Sequence, residues 1–208
     1  MTASADSPVC IERPLVVCIA GSPRRHGNSE LLLDALVRGV KAAGGRTVKL
    51  VAAEAGARPC RGCNACSKTG DCIQRDGMDA VYAELDKAEA VVVASPVFFA
   101  TVPGVLKIVF DRFQPYWARR HVLGEPAPEH KRPGAALIVG GGGDPFGTGC
   151  AITAIRSAFA VLGVSGETVF ECVGVDAAGD INQHPQALKR AEQIGGEIVA
   201  QVLARRER

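Results

Sequence analysis

Four cysteines fall within thirteen residues as Cys60-x2-Cys63-x2-Cys66-x5-Cys72. Three thiols at two-residue intervals can wrap one face of a compact centre, and Gly70 supplies a turn that returns the fourth. Four thiolates so spaced match a [4Fe–4S] cluster. Zinc is the second reading, because it usually takes two Cys-x2-Cys knuckles separated by roughly 15–20 residues. A thiol–disulfide pair such as Cys63/Cys66 is the third, and it leaves the other two without a role. Cys10, Cys18, Cys150 and Cys172 are scattered, and Cys18 and Cys172 fall in apolar runs that read as core.

A second group of residues suits an anion. Gly21-Ser22-Pro23-Arg24-Arg25-His26-Gly27-Asn28-Ser29 follows an apolar run and opens an amphipathic segment. Backbone N–H groups at a helix start, with the helix dipole behind them, favour phosphate. Ser22, Asn28 and Ser29 add side-chain donors, and Arg24 or Arg25 adds charge. The loop lacks the Gly-Lys-Ser/Thr ending of a Walker loop and the Gly-x-Gly-x-x-Gly dinucleotide spacing. The plainer reading is helix capping by Asn28 or Ser29 beside a solvated arginine pair.

These residues need elements to hold them. Leu15–Ala20, Thr47–Ala53, Glu89–Ser95, Ala135–Val139 and Glu167–Val173 read as strands. Helical periods occupy the region from Ser29 to Gly44, Ala80–Lys87, Pro103 to about Phe113, Thr148–Leu162 and the segment from Pro185 onward. Strands alternating with helices predict a doubly wound parallel sheet covered on both faces, a three-layer α/β/α fold. The 208 residues then form a single domain, 1–208, with a cysteine-rich loop insertion at about 55–78. Arg119–Pro133, with three prolines, reads as a surface excursion or subunit contact.

A formal charge of +2 gives no electrostatic case for nucleic acid or an anionic membrane. The longest uncharged stretch, Ala90–Leu106, contains two prolines and a glycine and reads as strand plus loop, not as a membrane span. With no secretory signal in view, the cytoplasm is expected, where eight cysteines serve as ligands, redox groups or core residues.

Three of these loops resemble those of a known family. Gly-Ser-Pro-Arg-x-x-Gly-Asn-Ser after a first strand is similar to the phosphate loop of the NAD(P)H-dependent FMN reductases, which are flavodoxin-like. Ser95-Pro96-Val97-Phe98-Phe99, with Pro103-Gly104-Val105-Leu106-Lys107 and Asp111-Arg112, resembles that family's loop beside the isoalloxazine ring. Gly140-Gly141-Gly142-Gly143 resembles its third flavin-side loop. The resemblance implies FMN, with the phosphate on Ser22, Arg24, Gly27, Asn28 and Ser29 and the ring against Pro96, Val97, Phe98, Phe99, Gly141 and Gly142. The bland reading of Phe98 and Phe99 is core packing, expected for one of the two, and that of the glycines is a flexible turn.

Arg61 to Cys72 further resembles the cysteine motif of the iron–sulfur flavoproteins, a branch of that family. This implies cluster ligation by Cys60, Cys63, Cys66 and Cys72. The expected activity is FMN-dependent oxidoreduction from NAD(P)H or a reduced carrier such as ferredoxin to a small acceptor. Without a cluster it becomes an NAD(P)H-dependent FMN or quinone reductase. A non-enzymatic electron carrier and a four-cysteine zinc-stabilised module stay open beside these. A homodimer or homotetramer is expected, and no side chain is assigned as acid or base. His26, His121, His130 and His184 share no ligand spacing. Arg119, Arg120, Lys131 and Arg132 read as solvated or subunit-facing charge, and Trp117 as a subunit contact.

Overall fold

The computed structural model describes residues 12–127 and 130–207, so the reading of Cys10 lies outside the described residues. All five expected strands form: β1 (Leu15–Ala20), β2 (Arg46–Val51), β3 (Ala90–Pro96), β4 (Gly134–Gly140) and β5 (Thr168–Val173). They pair in parallel in the order β2-β1-β3-β4-β5. β1, β3 and β4 are apolar along nearly their whole length because both faces of the sheet are covered. β2 and β5, at the edges, are half-buried or exposed at every position except the buried Cys172.

Seven helices complete the described fold: α1 (Asn28–Ala42), α2 (Cys66–Thr69), α3 (Met78–Lys87), α4 (Gly104–Asp111), α5 (Gln114–His121), α6 (Gly149–Leu162) and α7 (Pro185–Arg206). Val16, Cys18 and Ala20 face one way, onto Leu32, Leu36 and Val40 of α1 and Ile194, Ile198 and Val202 of α7. Leu15, Val17 and Ile19 face the other way, onto Met78 and Leu85 of α3, Leu106 of α4 and Ile155 and Phe159 of α6. The period-two alternation of β1 thus divides the core into two layers. Cys18 and Cys172 are buried there, as expected, while Cys150 is exposed at the start of α6.

Two expectations need correction. The helix beginning near Pro103 ends at Asp111, and a separate helix, α5, runs to His121 into the stretch read as an excursion. Pro115 sits in the first turn of α5, where it is tolerated, whereas inside a continuous helix it would remove a hydrogen bond. The cysteine segment also contains a single helical turn, α2, closed by Gly70 at φ +78, whose N–H reaches Cys66 O at 2.8 Å. Among the described residues no helix is long and apolar enough to cross a membrane.

Parallel pairing places every strand-to-helix loop at one edge of the sheet, beyond the strands' carboxyl ends. Along that edge the order is the cysteine segment after β2, the 21–27 loop after β1, the 97–103 loop after β3, the glycine loop after β4 and the 174–184 loop after β5. The chain reverses its direction of winding between β1 and β3, the place where open sheets of this kind bind ligands.

Candidate functional site

The loop after β1 is pinned at both ends. Gly21 N donates to Ala94 O at 2.8 Å, and Ser22 Oγ accepts from Arg24 N at 3.0 Å. The plainer alternative, capping by Asn28 or Ser29, does not form: the N-cap of α1 is Gly27, which has no side chain to bond the first turn. Asn28 instead crosses to the loop after β5. Its Nδ2 donates to Ala177 O at 2.8 Å, and its Oδ1 accepts from Gly179 N at 3.0 Å and Ile181 N at 3.3 Å. The first-turn N–H groups of α1 are therefore left without a cap, at the end of a 15-residue helix whose Gly27, Asn28 and Ser29 border a cleft.

Glu30 organises this loop and was not anticipated from the sequence. It is 2% exposed, and its carboxylate accepts from Arg25 Nη2 at 3.0 Å, Lys49 Nζ at 2.9 Å and His26 N at 2.7 Å. Burial alone would raise its pKa, but these bonds bring the carboxyl down to about 2. Arg25 is thereby committed to Glu30 and Glu54. Arg24 makes no ion pair among the described residues and borders the cleft.

The cleft gathers Ser22, Arg24, Gly27, Asn28 and Ser29 against Pro96, Val97, Phe98, Gly141 and Asp176. A second lobe of about 410 Å³, sharing Val97, Gly141 and Asp176, is bordered by Gly142 and Asp144. That size suits a small-molecule site, for which about 300–1,000 Å³ is usual. Of the residues expected around a flavin, Phe99 alone borders neither lobe. It is 98% exposed at a tight turn in which Phe98 N donates to Thr101 O at 2.8 Å and Thr101 N to Phe98 O at 3.1 Å. Phe98 is 45% exposed, so neither phenylalanine packs in the core as expected of one. The N–H of Val97 is also taken, by Val139 O at 2.9 Å, and that of Phe99 has no partner among the described residues. A Cβ at Gly141 would lie 3.1 Å from Asp176 Cγ, so a larger residue there would have to displace the exposed Asp176 side chain.

Cys60, Cys63, Cys66 and Cys72 line one pocket, with Arg112, Ile73 and Trp117 among its other walls. Cys66 and Cys72 are half-buried, and burial pushes the Cys66 thiol up. Among the described residues no three ligating side chains converge closely enough to hold a metal ion. Arginines from α5 and the α4 C-cap hold the segment in place. Arg119, partly exposed, donates to Gly70 O at 2.9 Å and Asp71 Oδ1 at 2.7 Å, which ties α5 to the cysteine segment. Arg112, 1% exposed, places Nη1 2.7 Å and Nη2 3.2 Å from the Asp76 carboxylate, and Nη1 also reaches Arg58 O at 2.9 Å. Burial works against the Asp76 carboxylate, but Arg112 and the amides of Arg58 and Met78 hold it well below the usual carboxylate range. Arg112 Nε is buried without a hydrogen-bond partner.

A five-stranded parallel sheet in the order β2-β1-β3-β4-β5, with a cleft beside β1 and β3, is the flavodoxin-like architecture. Residues 14–169 match the family described as NADPH-dependent FMN reductase, and the chain belongs to that family. It is thus a flavin-dependent oxidoreductase using FMN and NAD(P)H. The chain is 29% identical to an iron–sulfur flavoprotein of Archaeoglobus fulgidus over 88% of its own length and 77% of that protein's. It is 32% identical to an iron–sulfur flavoprotein of Methanosarcina thermophila over 59% of its own length and 61% of the relative's. Among solved structures, the NAD(P)H:quinone oxidoreductase of Methanothermobacter marburgensis superposes with a TM-score of 0.63 at 17% identity, covering 90% of this chain and 98% of that one. The FMN-dependent NADH-azoreductase of Bacillus anthracis in complex with FMN also gives 0.63, at 13% identity, covering 89% and 99%. At such identities the shared feature is the fold.

Proposed function

We propose that this chain is an FMN-dependent oxidoreductase carrying a [4Fe–4S] cluster on Cys60, Cys63, Cys66 and Cys72. Its electron donor is NAD(P)H or a reduced carrier such as ferredoxin, and its acceptor is a small molecule. The observation that carries the proposal is that four thiols line one pocket on the sheet edge that also bears the cleft. The donor set fits an iron–sulfur centre: soft thiolates, compact spacing and a buried cation beside them. The cleft fits FMN, with an uncapped helix start and an unpaired Arg24 at one end and glycine backbone at the other.

When bound, FMN supplies two-electron and one-electron chemistry, and the protein supplies position and electrostatics. Ser22, Arg24 and the first-turn amides of α1 hold the phosphate. Pro96, Val97, Phe98, Gly141 and Gly142 line the ring, and Asn28 fixes the loops on either side of it. In the cytoplasm, where we place this chain, the cysteines that do not ligate the cluster stay reduced. Exposed Trp117, Val122 and Leu123 supply an apolar surface for assembly as a homodimer or homotetramer.

Bound FMN should bleach in the visible when anaerobic protein is mixed with NADPH, NADH or reduced ferredoxin. Failure of all three to bleach it contradicts the proposal. A second reading, an NAD(P)H-dependent FMN or quinone reductase without a cluster, is favoured by the four thiols' not converging on one point.

A further inference from the structure

Among the described residues, Asp176 is the titratable side chain that borders both lobes of the cleft. Hydrogen bonds fix the loop that carries it. Val175 N donates to Gly140 O at 3.1 Å, and Asp180 Oδ2 accepts from Ala177 N at 2.7 Å and Asp176 N at 3.4 Å. Asn28 Nδ2 holds Ala177 O at 2.8 Å from the other side. The Asp176 side chain thereby lies against Gly141, which also borders both lobes. Its carboxylate accepts no hydrogen bond and makes no ion pair among the described residues.

Charge is divided along the cleft. Arg24 is the cation at the lobe that holds the start of α1, whereas the lobe with Gly142 has Asp144 and Asp176 and no Lys, Arg or His. Asp144 Oδ1 is taken by Phe146 N at 2.8 Å, which leaves Asp176 as the carboxylate without a bond of its own. We infer that Asp176 sets the potential of the flavin, as a fixed negative charge that disfavours reduced FMN. This rests on the placement proposed above, with the phosphate by Arg24 and the ring by Gly141 and Gly142. Hydride from NAD(P)H brings two electrons and one proton, so the reduced ring carries one more negative charge than the oxidised one. A carboxylate held beside it repels that charge, more strongly in a cleft filled by ligand than in open water. The lower potential makes the reduced protein a stronger donor to its acceptor.

The test is an anaerobic spectroelectrochemical titration of the holoprotein, following the visible band of the flavin, in wild type, Asp176→Asn and Asp176→Glu. Asp176→Asn keeps the size and removes the charge, and its midpoint should rise by about 30 mV, a tenfold shift towards the reduced state in a two-electron couple. Asp176→Glu should keep the wild-type value. Where a variant loses FMN on purification, the Kd of oxidised and of reduced FMN is measured separately on flavin-free protein, and their ratio should show the same tenfold shift. An unchanged midpoint, or equal loss of affinity for both states, overturns the inference and leaves the FMN placement standing. A rise in Asp176→Glu as large as in Asp176→Asn overturns it too, because packing and not charge then sets the potential. Wild-type protein that binds FMN in neither state overturns the placement, and this inference with it.

Discussion

Glu30 shows how one buried side chain sets the character of a binding loop. By committing Arg25 and Lys49 it leaves Arg24 as the loop's cation beside the cleft. Its carboxyl falls from the ordinary 4.5 to about 2, so it stabilises the fold fully above about pH 4.5. That contribution, worth roughly 3 kcal/mol, is lost as pH falls towards 2. Glu30→Gln should therefore lower stability at pH 7 by about 2–3 kcal/mol and flatten the acid limb of a denaturation series. An unchanged acid limb would contradict this. Arg24→Ala should weaken FMN binding roughly 10–100-fold with little change in melting temperature. Asn28→Ala should lower both, because its amide ties the loop to residues 177–181. Titration of FMN fluorescence alongside thermal melting separates the two. Arg24 and Asn28 stand out in the sequence by residue type and position. Glu30 does not, because its partners include Lys49 on β2, and nothing in the sequence marks that helix-to-strand pairing.

At the scale of elements, the turn after β3 carries strain. Phe99 at φ +47 and Ala100 at φ +64 occupy the left-handed region in a two-residue turn that ordinarily uses glycine or asparagine. Each costs roughly 1–2 kcal/mol in that conformation. Ala100→Gly should raise stability by about 0.5–1 kcal/mol after the entropic cost of glycine, and it should leave FMN affinity unchanged. A lower melting temperature would contradict that account of the turn. Strand positions were legible because apolar runs bounded by turn residues have few other uses. The break between α4 and α5 was not, because the apolar period runs through Phe113 and only Pro115 signals a new start. The placement of Arg119 on the cysteine segment follows from that second helix, so it was hidden as well.

At the scale of the molecule, the strand order sets which loops become neighbours. The cysteine segment leaves β2, the strand beside β1, so it shares the functional edge of the sheet with the loop after β1. The cysteine spacing and the glycine-rich loops are local patterns and were readable along the chain. The pairing of Arg112, which borders the pocket, with Asp76, 36 residues away, arises only when α4 packs against the sheet. The most direct test of the central claim is the content of iron, acid-labile sulfide and FMN per chain in protein purified without oxygen. The account predicts about four iron and four sulfide with one FMN. FMN without iron or sulfide would contradict the cluster and leave a flavin reductase whose cysteines do other work.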